Sequence, residues 1–457
     1  MRAVRTKRAR DDASRGLASG LAACAVVTTL VAGVATGSTG LVLAREPGAS
    51  PLPQEAWLRP LPEGFSVNDL QEYESFQDAL RNGQFDVAER RGEELPPLMG
   101  RLIQGLEQAL DGRTRGARAT FESLAFDARD AGDDALAGLA DAAGINLRFE
   151  AGDYDGVVAA VGADASDGLI AALADLPRQT LAPADPVSDG LRSGPGGQAA
   201  LTVSVNGESA EWWYDTGASF SVVSSSAARE WGVRMSEAGP FRISTATSQQ
   251  AEAGLGVLDR LHVGEVMVRN LPVLVIADED LTFHLPDGSS TSLDGIIGWT
   301  AIRSLFTELD FPRGRYTVRL SEPSPQGARN LGWLGYPLVR LADGGGQPLI
   351  FGVDTGSRNT SITENILGKT ELGRVRRDTV RIAGVGGSVT EEAWMGDNLT
   401  LAFPSVLATI PAVQSETTSG ADDVLFFAAD GVLGIDVAQT GVLTIDPPNG
   451  RLELSSR

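Results

Sequence analysis

The chain has 457 residues, a formal net charge of −22 and 42% hydrophobic residues. It is too long for one ordinary domain and too acidic for nucleic acid or an anionic membrane surface to be a principal partner. Its single cysteine, Cys24, and its two histidines, His262 and His284, exclude a disulfide framework, thiol chemistry and a histidine-rich metal centre. A Ser-His-Asp triad on His262 is disfavoured because no Gly-x-Ser-x-Gly context accompanies it. No metal and no cofactor is expected.

Residues 1–44 read as a targeting segment. Arg2, Arg5, Lys7, Arg8 and Arg10 form a basic start, Gly16 to Ala44 carries no charge, and Leu21 to Ala35 is its most apolar part. Val42-Leu43-Ala44 offers a cleavage site before Arg45, while the uncharged run is long enough to serve as a membrane anchor. Leu21-Ala22-Ala23-Cys24 also resembles a lipoprotein processing box. All three routes export the rest of the chain, to the periplasm or the extracellular side, with membrane contact only through this N-terminal segment.

Residues 45–65 read as a linker and 66–178 as a helical domain. Ser66 and Asp69 have capping-box spacing, and Leu70, Tyr73, Phe76 and Leu80 follow at helical intervals. Tight turns are expected at Gly83-Gln84-Phe85, around 112–117, and at Gly152-Asp153-Tyr154. The outer two are 152 − 83 = 69 residues apart, close to two periods of ~34 residues. The region thus loosely resembles a helical-hairpin array of the tetratricopeptide kind, with an unspecialised helical bundle as the plainer alternative. Either would present a surface to a protein partner. Residues 179–196, rich in Pro and Gly, read as a second linker.

From Ala199 the period changes to two. Leu201, Val203 and Val205 lead to the hairpin signal Asn206-Gly207, and the return strand carries Trp212, Trp213 and Tyr214 into Asp215. The plan repeats: Leu338 to Leu341, a turn at Asp343 to Gly346, then Leu349 to Val353 into Asp354. Asp310-Phe-Pro-Arg-Gly314 and Asp446-Pro-Pro-Asn-Gly450 are 446 − 310 = 136 residues apart, as are Gly298 and Gly434. This internal duplication sets two lobes at 197–322 and 334–457.

Each lobe carries the same two motifs in the same order. The first is Asp215-Thr216-Gly217 and Asp354-Thr355-Gly356; the second is Asp294-Gly-Ile296-Ile297-Gly298 and Asp430-Gly-Val432-Leu433-Gly434. Over about 199–457 the chain resembles the aspartic proteases of retropepsin and pepsin type. The resemblance implies a multidomain α plus all-β protein, in which a helical array precedes a bilobal β-barrel acid-protease fold with pseudo-two-fold symmetry. It assigns catalysis to Asp215 and Asp354, and support of the active-site loops to Thr216, Gly217, Ala218, Thr355, Gly356 and Ser357. It makes Ile296, Ile297, Gly298, Val432, Leu433 and Gly434 floor segments. The implied activity is an aspartic endopeptidase acting on a polypeptide substrate through a water activated between the two carboxylates, without a cofactor. A monomer suffices for a complete site. The alternative is a catalytically inactive peptide-binding scaffold that acts through its helical region.

The copies differ where Ala218 faces Ser357. By the resemblance, the Ser357 hydroxyl is expected to bond Asp354 and leave the proton on Asp215. Arg358 departs from the small residue usual after this motif. Hairpin flaps are expected around Ser244–Gln250 and Ala383–Ser388. Alternation puts Trp212 and Trp213 on opposite faces, with at least one buried. His262 and His284 are expected on loops or surfaces, and Asp294 and Asp430 as local turn formers. The acidic helical region lacks the basic residues with which pepsin-like prosegments cover their carboxylates.

Overall fold

The computed structural model describes residues 41–44, 56–62, 64–67, 75–91, 98–162, 168–194, 197–244, 250–284, 290–324, 329–384, 387–415 and 426–456. Most of residues 1–44, expected as a targeting segment, with Cys24 and the Ser66–Asp69 capping box except its first two residues, lie outside these. No helix among the described residues is long and apolar enough to cross a membrane.

Seven described helices run from Phe76 to Leu173. The first begins at Phe76, with Ser75 as its N-cap accepting from the Asp78 amide. Four junctions share one construction. Gly83, Gly112, Gly132 and Gly152 all have φ between 66° and 73°, a left-handed conformation that costs glycine nothing. The amide one residue later donates back five residues: Gln84 to Ala79, Arg113 to Gln108, Asp133 to Ala128 and Asp153 to Arg148. This closes each helix in a Schellman motif. Asp133 and Asp153 then cap the next helix by accepting from Leu136 and Gly156 amides. The Gly132 junction escaped the sequence reading because no aromatic residue follows it. Successive glycines are 132 − 112 = 20 and 152 − 132 = 20 residues apart, so a helix pair here occupies more than ~34 residues.

The remainder is mostly β-sheet. In the first lobe, a ten-stranded sheet contains a ring of pairings: Gln250–Val263, Ala199–Val205, Glu208–Tyr214, Gly295–Ile297, Ser221–Ser224, Val266–Ile276, and back to Gln250–Val263. The second lobe repeats that order with Gly387–Ala402, Pro337–Asp343, Pro348–Val353, Gly431–Leu433, Ser361–Ile362 and Val406–Ser415, again closing on its first strand. The stretches expected as linkers contribute edge strands. Trp57–Pro60 pairs with Val406–Ser415, and Thr180–Pro183 with Val266–Ile276. Leu41–Ala44 runs antiparallel to Arg376–Gly384.

The lobes are joined by a four-stranded sheet that takes two strands from each. Leu305–Asp310 pairs antiparallel with Val442–Asp446, with Glu308 opposite Thr444 and Leu309 opposite Leu443. Glu308 and Thr444 are 444 − 308 = 136 residues apart, the offset of the duplication, so the two copies exchange about that pair. Both outer corners use the repeated Asp-x-x-x-Gly motif: Gly314 and Gly450 each have φ 61° after a one-turn 3₁₀ helix.

The helices pack against both lobes. Gly112 and Gly332 allow the closest approach, since a Cβ on Gly332 would lie 2.2 Å from the Ala109 carbonyl. Arg329 donates to the Asp111 and Gly112 carbonyls, Arg340 pairs with Asp111, and Arg303 donates to the Phe149 carbonyl. One apolar core is shared by helical residues and by Leu334, Tyr336, Leu338, Ile350 and Phe427 of the second lobe.

Candidate active site

Each Asp-Thr-Gly loop leaves the end of a buried strand and is fixed by the segment expected as a floor. Ile296 and Ile297 lie parallel to Trp213 and Tyr214, and the Asp215 amide donates 2.9 Å to the Ile297 carbonyl. Val432 and Leu433 lie parallel to Gly352 and Val353, and the Asp354 amide donates 2.9 Å to the Leu433 carbonyl. Gly298 and Gly434 end these floors where there is no room for a side chain. A Cβ would stand 2.1 Å from the Phe220 carbonyl oxygen and 2.4 Å from the Asn359 carbonyl carbon.

The threonines lock the loops together across the pseudo-axis. The Thr216 amide donates 3.0 Å to Thr355 Oγ1, and the Thr355 amide donates 3.0 Å to Thr216 Oγ1. Thr216 Oγ1 donates 2.8 Å to the Val353 carbonyl, and Thr355 Oγ1 donates 2.9 Å to the Tyr214 carbonyl. All four bonds are buried, and each hydroxyl both donates and accepts, so neither loop can shift without orphaning a polar group in the other.

The carboxyls meet between these loops, and both aspartates are fully buried. Asp215 Oδ1 accepts from the Gly217 and Ala218 amides, at 2.8 and 3.1 Å. Asp354 Oδ1 accepts from the Gly356 and Ser357 amides, at 2.9 and 3.0 Å. The glycines let each loop approach the other's carboxyl: a Cβ on Gly356 would lie 2.4 Å from Asp215 Oδ2, and one on Gly217 would lie 2.7 Å from Asp354 Oδ1. Burial pushes the Asp215 carboxyl above its ordinary range, opposed by hydrogen bonds from Asp354 and from the Gly217, Ala218 and Gly356 amides.

The expected role of Ser357 is not what is found. Its hydroxyl donates 3.0 Å to the Asn359 carbonyl, and only its amide reaches Asp354, as the Ala218 amide reaches Asp215. Ala218 and Ser357 therefore treat their carboxylates alike, and the raised Asp215 owes its shift to burial.

A second ring of residues, not singled out from sequence, holds the floors. Ser221 Oγ accepts from the Gly298 amide and Thr360 Oγ1 from the Gly434 amide, both at 3.1 Å. Behind them the lobes diverge. The Ser221 amide donates to Thr300 Oγ1, whereas Thr360 gives its amide and hydroxyl to Asp436, at 2.9 and 2.7 Å. Burial raises Asp436 to about 6. It also faces Arg358, which is half-buried and whose pKa burial lowers. Their place in the duplication was the available signal, since Thr300 and Asp436 each stand two residues past a floor glycine.

Asp294 and Asp430, alike in sequence, part company in space. Asp294 is exposed, whereas Asp430 is fully buried and paired at 2.6 Å with Lys369, whose side chain is 3% exposed. Asp430 also accepts from the Ile350 amide and the Asn365 side chain. Asn365 in turn donates to Asn82, the C-cap of the first helix, so this network ties the helices to the second lobe.

The strands Phe241–Ser244 and Gln250–Val263 form a hairpin whose tip, 245–249, lies outside the described residues; Arg376–Gly384 and Gly387–Ala402 form its counterpart. Trp212 and Trp213 lie on opposite faces and both are buried, against Trp231 and Phe283. The histidines are in strands, not loops: His262 is half-buried opposite Met267, and His284 ends Thr282–His284.

Two buried carboxyls thus stand on a pair of duplicated loops that the threonines clamp together. Residues 201–301 match the family model described as Aspartyl protease. That stretch contains Asp215, Thr216, Gly217 and the first floor; the second lobe lies beyond it and is related to the first by strand order and by the paired hydrogen bonds above. No curated protein matches the chain. Peptidase activity is the activity this family match supports.

Proposed function

We propose that the protein is an exported aspartic endopeptidase. Asp215 and Asp354 activate a water between them, and the site is completed within one chain. The observation that carries this reading is the reciprocal bonding of Thr216 and Thr355, which holds the two aspartates face to face. Two carboxyls so placed share one proton, the arrangement known from aspartic proteases. The ionised member takes a proton from the water as it attacks the peptide carbonyl, and the protonated member donates to the carbonyl oxygen. The tetrahedral species then collapses as the amine leaves with a proton. The floor segments Ile296–Gly298 and Val432–Gly434 fix the loops throughout.

Because both carboxyls are buried, entry of a polypeptide requires the chain that covers them to move. The two long hairpins are the flap candidates. In this reading the barrel architecture follows from the two closed rings of strand pairings, and the tetratricopeptide likeness of the helices is confined to their Schellman-capped turns. Export rests on the basic start and apolar run of residues 1–44.

Incubation with an unfolded protein substrate between pH 3 and 8, with products sequenced by mass spectrometry, tests the reading. Internal cuts that yield new termini on both sides, insensitive to a metal chelator, are expected. Trimming confined to chain ends, or no cleavage by folded protein at any pH, would overturn it.

A further inference from the structure

The helical region and the proposed dyad meet at one side chain, Tyr336. It lies in the turn between strands Leu331–Trp333 and Pro337–Asp343 and is 6% exposed. Its ring belongs to the core that Phe85, Leu102 and Leu110 of the helices share with Leu338 and Phe427. The ring also covers Gly352, two residues before Asp354, where a Cβ would lie 2.9 Å from it. From there the hydroxyl reaches the first lobe's loop. The Cβ position of Gly217 is 2.9 Å from Tyr336 Oη and 2.7 Å from Asp354 Oδ1. Hydroxyl and carboxyl therefore flank the same point.

We infer that Tyr336 is a positioning residue for Asp354, and that through it the helical region is a working part of the active site. The inference rests on the dyad reading above. A phenol O–H beside a buried carboxylate donates to its charged form and favours it, and it also limits rotation of the carboxyl. At the equivalent place in the first lobe stands an amide, not a phenol. Ala200 lies opposite Trp213 and Leu338 opposite Gly352, so the equivalent of Tyr336 is Gln198, a buried amide. In this inference Tyr336, whose ring packs in the core shared with the helices, supplies the inequality between the aspartates once expected from Ser357.

Tyr336→Phe keeps the ring and its packing and removes only the hydroxyl. The acid limb of the kcat/KM profile is expected to move up by about one pH unit and kcat at acidic pH to fall about tenfold, with KM unchanged and the fold retained. The pH dependence of binding to a peptide carrying a hydroxyl in place of the scissile carbonyl, measured by calorimetry, should move the same way. A Tyr336→Phe profile superimposable on the parent in both assays overturns the inference. Asp354→Asn separates the two claims. If it abolishes cleavage while Tyr336→Phe changes nothing, only the role of Tyr336 falls; if it leaves cleavage intact, the dyad reading falls and this inference with it.

Discussion

Replacing Thr216 with Val isolates the clamp between the lobes. The two side chains have nearly the same volume, so the fully buried site gains no cavity and loses only a hydroxyl. That hydroxyl makes two of the four cross-lobe bonds, accepting from the Thr355 amide and donating to the Val353 carbonyl. Each buried partner left without a bond costs about 1–3 kcal/mol, so the expected destabilisation is roughly 2–6 kcal/mol. Thr355→Val removes the other two bonds and should cost a similar amount. Because all four bonds hold the same pair of loops, the double variant should lose less than the two singles together, by about 0.5–3 kcal/mol. Denaturant unfolding of the four proteins measures this directly. Activity should fall more steeply than stability, on the order of a hundredfold, since loops that drift by about 1 Å misplace both carboxyls. Single variants that each cost under about 0.5 kcal/mol and add without coupling would refute the clamp.

Other outcomes follow from the same geometry. Gly356→Ala, whose Cβ would stand 2.4 Å from Asp215 Oδ2, should abolish cleavage while leaving circular dichroism unchanged; retained activity would contradict the close approach. Ser357→Ala should leave the acid limb of the pH profile in place, because the hydroxyl serves the Asn359 carbonyl, and an upward shift would restore the role expected from sequence. Lys369→Met strands the buried Asp430 carboxylate and should cost about 3–5 kcal/mol, read by thermal unfolding. Asp436 is raised from 3.8 to about 6, so between those values the folded state holds a proton that the unfolded state has lost. Its contribution therefore makes stability fall as pH rises through that window. Asp436→Asn should flatten the fall by about 1–3 kcal/mol, and an unchanged pH dependence would argue against the shift.

The duplicated motifs made the centre of the fold readable because chemistry and sterics fix those residues absolutely. Only a hydroxyl side chain at 216 and 355 keeps the four buried bonds, and only glycine at 217 and 356 keeps the two close approaches. Flanking residues were less legible. Ser357 was misread because a hydroxyl has several acceptors within reach, and the one it takes, the Asn359 carbonyl, depends on a loop conformation that spacing does not reveal. The linker readings at 45–65 and 179–196 followed their Pro and Gly content, yet Trp57–Pro60 and Thr180–Pro183 are edge strands, positions where proline's missing donor is tolerated. Asp294 and Asp430 looked equivalent, but only Asp430 has a lysine close enough to bring inside. The reach of Tyr336 from the helical core to Gly217 is a long-range contact with no local signature.

The two aspartates are the central claim, and single substitutions test it most directly. Cleavage of an unfolded protein should be abolished by Asp215→Asn and equally by Asp354→Asn, with both variants folded and monomeric. Activity that survives either change at the parent's rate would contradict a dyad shared between the two lobes.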